Sequence, residues 1–156
     1  MERLKPTLRQ RLSYATCAIA LVCTLSAYKS SVSANPLSAA QRHWEAIASE
    51  NPELLASRYS DNAILERSYG ISDVDEIYQG RSIYFAWQKF FSQYQIEHFQ
   101  VVKQQERDRC VDAQIQITAK SSRGLIVVLS MSYQVQFDKS GKIIKEVWQT
   151  NPELSV

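Results

Sequence analysis

VDAQIQITAKSSRGLIVVLSMSYQVQF, residues 111–137, decides the architecture. Val111, Ala113, Ile115, Ile117 and Ala119 alternate with Asp112, Gln114, Gln116, Thr118 and Lys120. Side chains in a strand point alternately to opposite faces, so this period of two predicts a strand with one buried face. Ser121-Ser122-Arg123-Gly124 is a turn. Leu125, Val127, Leu129, Met131, Tyr133, Val135 and Phe137 then line one face of a second, longer strand. Two alternating runs joined by a short Gly-containing segment imply an antiparallel hairpin.

Working outward, Asp138-Lys139-Ser140-Gly141 turns the chain into a last strand from Ile143 to Thr150, and His98–Arg107 precedes the hairpin as a further strand. Upstream the period changes. Ile83, Trp87, Phe90, Phe91 and Tyr94 recur at helical spacing, predicting an amphipathic helix over 81–94. Ser38-Ala39-Ala40-Gln41 has the pattern of a capping box before Trp44, Ile47 and Ala48, predicting a helix over 38–50. Asn51-Pro52-Glu53 starts a second helix reaching Tyr59, with Asn as N-cap and Pro in the first turn. Short strands are predicted at Ala63–Glu66 and Glu76–Gln79, with a polar loop from Ser68 to Asp75 between them. The expectation is an α+β domain: three helices packed on a strongly curved, mostly antiparallel sheet. The concave interior of such a cone is the default place for a small-molecule site.

The first 34 residues have a different character. Arg3, Lys5, Arg9 and Arg11 precede an apolar run from Leu12 to Ala27, and Val32-Ser33-Ala34 is a small-residue cleavage pattern. That order is the order of a secretory signal peptide, residues 1–34, before a single domain over 35–156. The expected location is exported, periplasmic or extracellular; the alternative is an uncleaved membrane anchor. Val22 before Cys23 does not suit a lipoprotein signal. Of 18 Lys+Arg and 16 Asp+Glu, five basic residues and one acidic residue fall in the leader, leaving 13 and 15. A domain with no basic surplus gives nucleic-acid binding no electrostatic support. Cys110, the one cysteine after residue 34, has no internal disulfide partner and reads as a packed thiol. The two histidines, His43 and His98, share no metal-ligand spacing, so neither metal nor other cofactor is expected.

Three phrases carry a resemblance: RYSDNAIL (58–65), YQGRSIYFAWQKFF (78–91) and FDKSGKIIKEVWQ (137–149). Together they resemble the nuclear-transport-factor-2-like superfamily, in its SnoaL-like and ketosteroid-isomerase-like branches, over about residues 38–150. The resemblance implies the cone fold and says little about activity, since the fold hosts isomerases, dehydratases, cyclases, hydrolases, binders and assembly domains. In the isomerase branch it implies an aspartate base two residues past the first strand. Arg67 stands there, with Trp44 or His43 at the helix position and Tyr133 on the long strand. A guanidinium cannot abstract a proton near neutral pH, so that mechanism is not supported.

The resulting expectation is a domain binding a small apolar or aromatic molecule. Trp44, Tyr59, Tyr78, Trp87 and Tyr133 line the pocket, and Arg67 near its mouth holds an acidic or carbonyl group. Glu66, one residue earlier, points to the other face. The first alternative is an isomerase, dehydratase or hydrolase with a non-standard acid–base site, for which His98, Asp73 and Asp75 are the candidates. The second is a homodimeric assembly module. The outer face of the long strand, Ile126, Val128, Ser130, Ser132, Gln134 and Gln136, carries no charge, which suits a sheet-to-sheet homodimer.

Overall fold

The computed structural model describes residues 35–68 and 75–150. The leader, Asp73 and most of the loop between the first two strands lie outside the described residues.

Helix α1 spans Pro36–Ala48 and α2 spans Pro52–Ala56. Both begin the same way: Asn35 Oδ1 accepts from the Ser38 amide at 3.0 Å, and Asn51 Oδ1 from the Leu54 amide at 2.8 Å. Each Asn satisfies an amide that has no partner within the helix, and Pro at the first position sacrifices nothing because its nitrogen has no hydrogen to pair. The capping-box reading of Ser38 is thus corrected: the cap is Asn35, three residues upstream. The buried face of α1 is Ala39, Ala40, His43, Trp44, Ala46 and Ile47, while Ala48 is exposed.

Strand β1 runs Tyr59–Ser68, longer than expected at both ends, so Tyr59 opens a strand and does not close a helix. Strand β2 is Asp75–Gln79. Gly80 then takes φ +56°, and a Cβ there would lie 2.8 Å from the Asp61 carbonyl oxygen. Only glycine makes this link to α3, Ser82–Gln93, at no steric cost. Strands β3 (Tyr94–Arg107), β4 (Cys110–Ser121), β5 (Ile126–Phe137) and β6 (Ile143–Thr150) follow. In the β5–β6 turn Asp138 Oδ1 accepts from the Ser140 and Lys142 amides at 2.8 and 3.0 Å. Those bonds, with one from the Ser140 hydroxyl, hold the Asp138 carboxyl below its usual range.

The six strands form one sheet in the order β2-β1-β6-β5-β4-β3. Four pairings are antiparallel, as the hairpins predict, and β1 pairs with β6 in parallel. The parallel pair brings the first strand beside the last. It places side chains from opposite ends of the chain in adjacent positions. Buried residues of all three helices join one cluster with Ala63, Leu65, Val111, Ile115, Ile117, Tyr133, Val135, Ile143 and Trp148 of the sheet. Burying that apolar surface on one sheet face is the main stabilising contribution to such a layered domain.

Candidate functional site

The register of β1, β6 and β5 builds the site. Leu65 is opposite Glu146, which is opposite Val135; Arg67 is opposite Trp148, which is opposite Tyr133. Two neighbouring rows on the helix-covered face therefore carry a carboxylate, a guanidinium, an indole and a phenol.

Alternation along β6 is broken. The β5–β6 register shifts between Gln136 and Phe137, and both Ile143 and Glu146 are buried although three residues apart. A bulge inserts one residue and reverses which side chains face the core. It turns Glu146 inward with no solvent exposure.

Three groups meet the Glu146 carboxylate. His43 Nε2 lies 3.0 Å from Oε1, Trp148 Nε1–H donates to Oε1 at 2.8 Å, and the Tyr59 hydroxyl donates to Oε2. Trp87 Nε1–H in turn donates to the Tyr59 oxygen at 3.0 Å. Burial by itself raises the Glu146 pKa, but the His43 charge and the hydrogen bonds from His43, Tyr59 and Trp148 outweigh it, and the net shift is downward. Burial, reinforced by Glu146, pushes the Tyr59 phenol well up. The same causes push Tyr133 well up. Its hydroxyl meets no partner at hydrogen-bond geometry, although Glu146 and Trp44 are near enough to influence it. His43 Nδ1, Trp44 Nε1 and Arg67 Nη2 are likewise buried without a partner.

Arg67 is 6% exposed. Its Cζ sits 4.5 Å from the Trp87 ring centroid, 5.4 Å from Phe90 and 5.9 Å from Tyr78. Glu66 points to the opposite face, as alternation predicts, and pairs with Lys145 at 2.9 Å. The charged pair in ILER is thus divided: Glu66 makes a part-exposed ion pair while Arg67 enters the core.

Trp44, Tyr59, Arg67, Trp87 and Tyr133 all lie buried on the helix-covered side, and Tyr78 is half-buried against them. Trp44 meets Tyr133 at a centroid distance of 5.9 Å, Tyr133 meets Trp148 at 5.0 Å, and Trp148 meets Trp87 at 5.8 Å. His98 is on the exposed side of β3, opposite Thr118, and Asp75 is exposed at the start of β2, opposite Ser68. Neither approaches the buried set. Among the described residues no cluster of His, Cys, Asp and Glu is arranged to hold a metal. Two of the open depressions border the buried set: one of about 390 Å³ beside Lys103, Asp112 and Gln134 is lined also by Tyr133, and one of about 580 Å³ between Asp61, Arg81 and Phe85 is lined also by Tyr59.

Sequence reasoning missed two members, His43 as a core group and Glu146 altogether. His43 adjoins Trp44, and adjacent helix positions diverge by about 100°, yet the buried stripe of α1 is wide enough for both. A signal for Glu146 was its place two residues before Trp148, the length of one strand repeat.

No protein-family model and no curated protein matches the chain. Solved structures do. A "putative isomerase" from Bacillus subtilis superposes with TM-score 0.66 at 16% identity, covering 76% of this chain and 87% of that one. BvnE pinacolase from Penicillium brevicompactum gives 0.63 at 10% identity over 76% and 86%, and AusH from Aspergillus nidulans 0.63 at 14% over 75% and 84%. At such identities the likeness speaks for fold alone, and the chain adopts the nuclear-transport-factor-2-like fold.

Proposed function

We propose that the chain is an exported domain that binds a small, flat, largely apolar or aromatic molecule on the helix-covered side of its sheet. The observation that carries the reading is a set of buried donors without a well-formed partner, set among aromatic rings: Arg67 Nη2, and Trp44 Nε1 and Tyr133 Oη, which come near each other, and Tyr133 near Glu146, only at poor geometry. A buried polar group left unpaired costs about 1–3 kcal/mol, so an interior keeping three of them gains by admitting a ligand with acceptor oxygens. The rings supply the apolar contact and the donors supply orientation. Because the rings touch one another, admitting a ligand means parting them.

Export rests on the basic, apolar, small-residue order of residues 1–34. A homodimer formed through the outer sheet face rests on the uncharged outer side of β5. There Ile126 is 56% exposed and Val128 40%.

The test is native mass spectrometry of the protein purified gently from an exporting host. A species carrying an extra small mass, with residues 1–34 removed, supports both parts. Bare protein that also gains no thermal stability from a panel of aromatic compounds ends the binding reading.

A second reading, catalysis, is favoured by the His43–Glu146 pair. A carboxylate accepting the Nε2 proton holds the imidazole with its Nδ1 lone pair free, the arrangement a general base requires. It predicts that His43→Gln abolishes turnover of a bound ligand while leaving its affinity.

A further inference from the structure

We infer that the natural ligand is an acid, a planar aromatic carboxylate whose anionic end is taken by Arg67. The inference rests on the binding reading above and names the chemistry of its ligand.

Arg67 is a charged group taken out of water with no carboxylate in direct contact among the described residues. Its Nη1 makes one long contact, 3.5 Å, to the Ala86 carbonyl oxygen, and Nη2 is buried with no partner. Among the described residues no carboxylate lies at ion-pair distance from it. Glu76, opposite Arg67 in the β1–β2 register, is the acid nearest in the sheet. Its carboxylate is engaged elsewhere, by the Tyr78 hydroxyl at 2.9 Å and Lys89 Nζ at 3.3 Å. Glu146 is held by His43, Tyr59 and Trp148. Both carboxylates on that side of the sheet are thus held by other donors, and the Arg67 charge reaches Glu76 only from beyond ion-pair distance. What Arg67 does have is aromatic: Trp87, Phe90 and Tyr78 surround it. Stacking stabilises the cation while leaving the edge of the guanidinium plane, where its N–H groups point, for a ligand. A planar fork of donors pairs with a carboxylate better than with any neutral acceptor.

The other end of the ligand follows from the register. Arg67, Trp148 and Tyr133 are opposite one another on three adjacent strands. Two strand spacings are about 10 Å, roughly the span of two fused rings bearing a carboxylate at one end and an oxygen at the other. The unpaired Tyr133 hydroxyl and Trp44 Nε1 stand at that far end.

The experiment compares 6-hydroxy-2-naphthoate with its neutral counterpart, 6-hydroxy-2-naphthamide, on protein from an exporting host. Calorimetry and thermal shift are the readouts. The expected result is at least roughly tenfold tighter binding of the acid, the scale of a charge-assisted bond, and loss of that preference in Arg67→Met. Without ligand, Arg67→Met is expected to melt no lower than the parent, since it removes an unpaired buried charge and keeps the volume. Arg67→Lys, which keeps the charge and loses the fork, is expected to retain part of the preference. Equal affinity for acid and amide overturns the inference and leaves the binding reading standing. If neither compound binds, both the inference and the binding reading fall. An unliganded Arg67→Met melting far below the parent makes Arg67 a structural residue and also overturns the inference.

Discussion

His43 Nε2 and Glu146 Oε1 are 3.0 Å apart, both fully buried, and 103 residues apart in the chain. This contact joins helix α1 to strand β6 within a layer that also buries the Tyr59 hydroxyl, the Trp148 indole and Arg67. Removing one member strands the other without its partner. Glu146→Leu or His43→Leu alone is expected to lower unfolding free energy by about 3–5 kcal/mol, the usual cost of breaking a buried pair. The double replacement should recover a large part of it. Urea unfolding of the four proteins of the cycle measures this, and additive losses would show that the two residues do not interact.

The pair also sets an acid limit. The folded-state pKa of Glu146 is lowered, so its contribution is fully present above the ordinary glutamate value near 4.3 and is lost as pH falls through the lower folded value. Stability between pH 5 and pH 2 should therefore fall less steeply in Glu146→Gln than in the parent. Identical slopes in denaturant titrations across that range would dismiss the assignment.

At the alkaline end, Tyr59 and Tyr133 have phenols pushed well above the usual value near 10. The fold holds their protons where the unfolded chain gives them up, so their stabilisation is complete below pH 10 and is lost as pH rises beyond it. Ultraviolet titration should show these two ionising only on unfolding. The phenolate signal should rise together with loss of circular dichroism, and Tyr59→Phe should remove one phenolate from that late step.

Trp87 connects the halves of the site: it stacks on Phe91 at 5.6 Å, carries the Arg67 cation and donates to Tyr59. Trp87→Ala should cost about 3–5 kcal/mol. Phe85, two residues earlier on α3 and 64% exposed, should cost about 0.5 kcal/mol or less on the same change. Chemical denaturation distinguishes them, and similar losses would contradict the placement of α3.

The outer face of β5 is tested by Ile126→Asp. Sedimentation should show the parent as a dimer and the variant as a monomer, with the melting of the domain itself little changed. A variant still dimeric places the interface elsewhere.

Much of this domain is written locally. Alternation in β4 and in the second half of β5 set their buried faces, because side-chain direction in a strand depends on parity; Leu125, counted with the buried face, is exposed ahead of β5, and Ser130, counted with the outer face, is buried. Asn51-Pro52 marked a helix start, since cap and first turn are satisfied within four residues; Asn35-Pro36 does the same for α1, ahead of the start at Ser38 that the capping-box pattern predicts. The same parity rule separated Glu66 from Arg67. The burial of the candidate residues was legible: Trp44, Tyr59, Trp87 and Tyr133 are aromatic residues, and all are buried.

Tertiary structure decided the rest. A bulge beside Phe137 reverses the parity of β6, so no count along the strand from Ile143 finds Glu146 inside. The parallel pairing of β1 with β6 sets Arg67 beside Trp148 and Leu65 beside Glu146. That is a choice of neighbour between strands far apart in sequence, which neither strand's own pattern encodes. His43 joins Glu146 only once α1 lies across that face. Local sequence determines which way a side chain points; which charge it meets there is settled by the packing of segments that are distant in the chain.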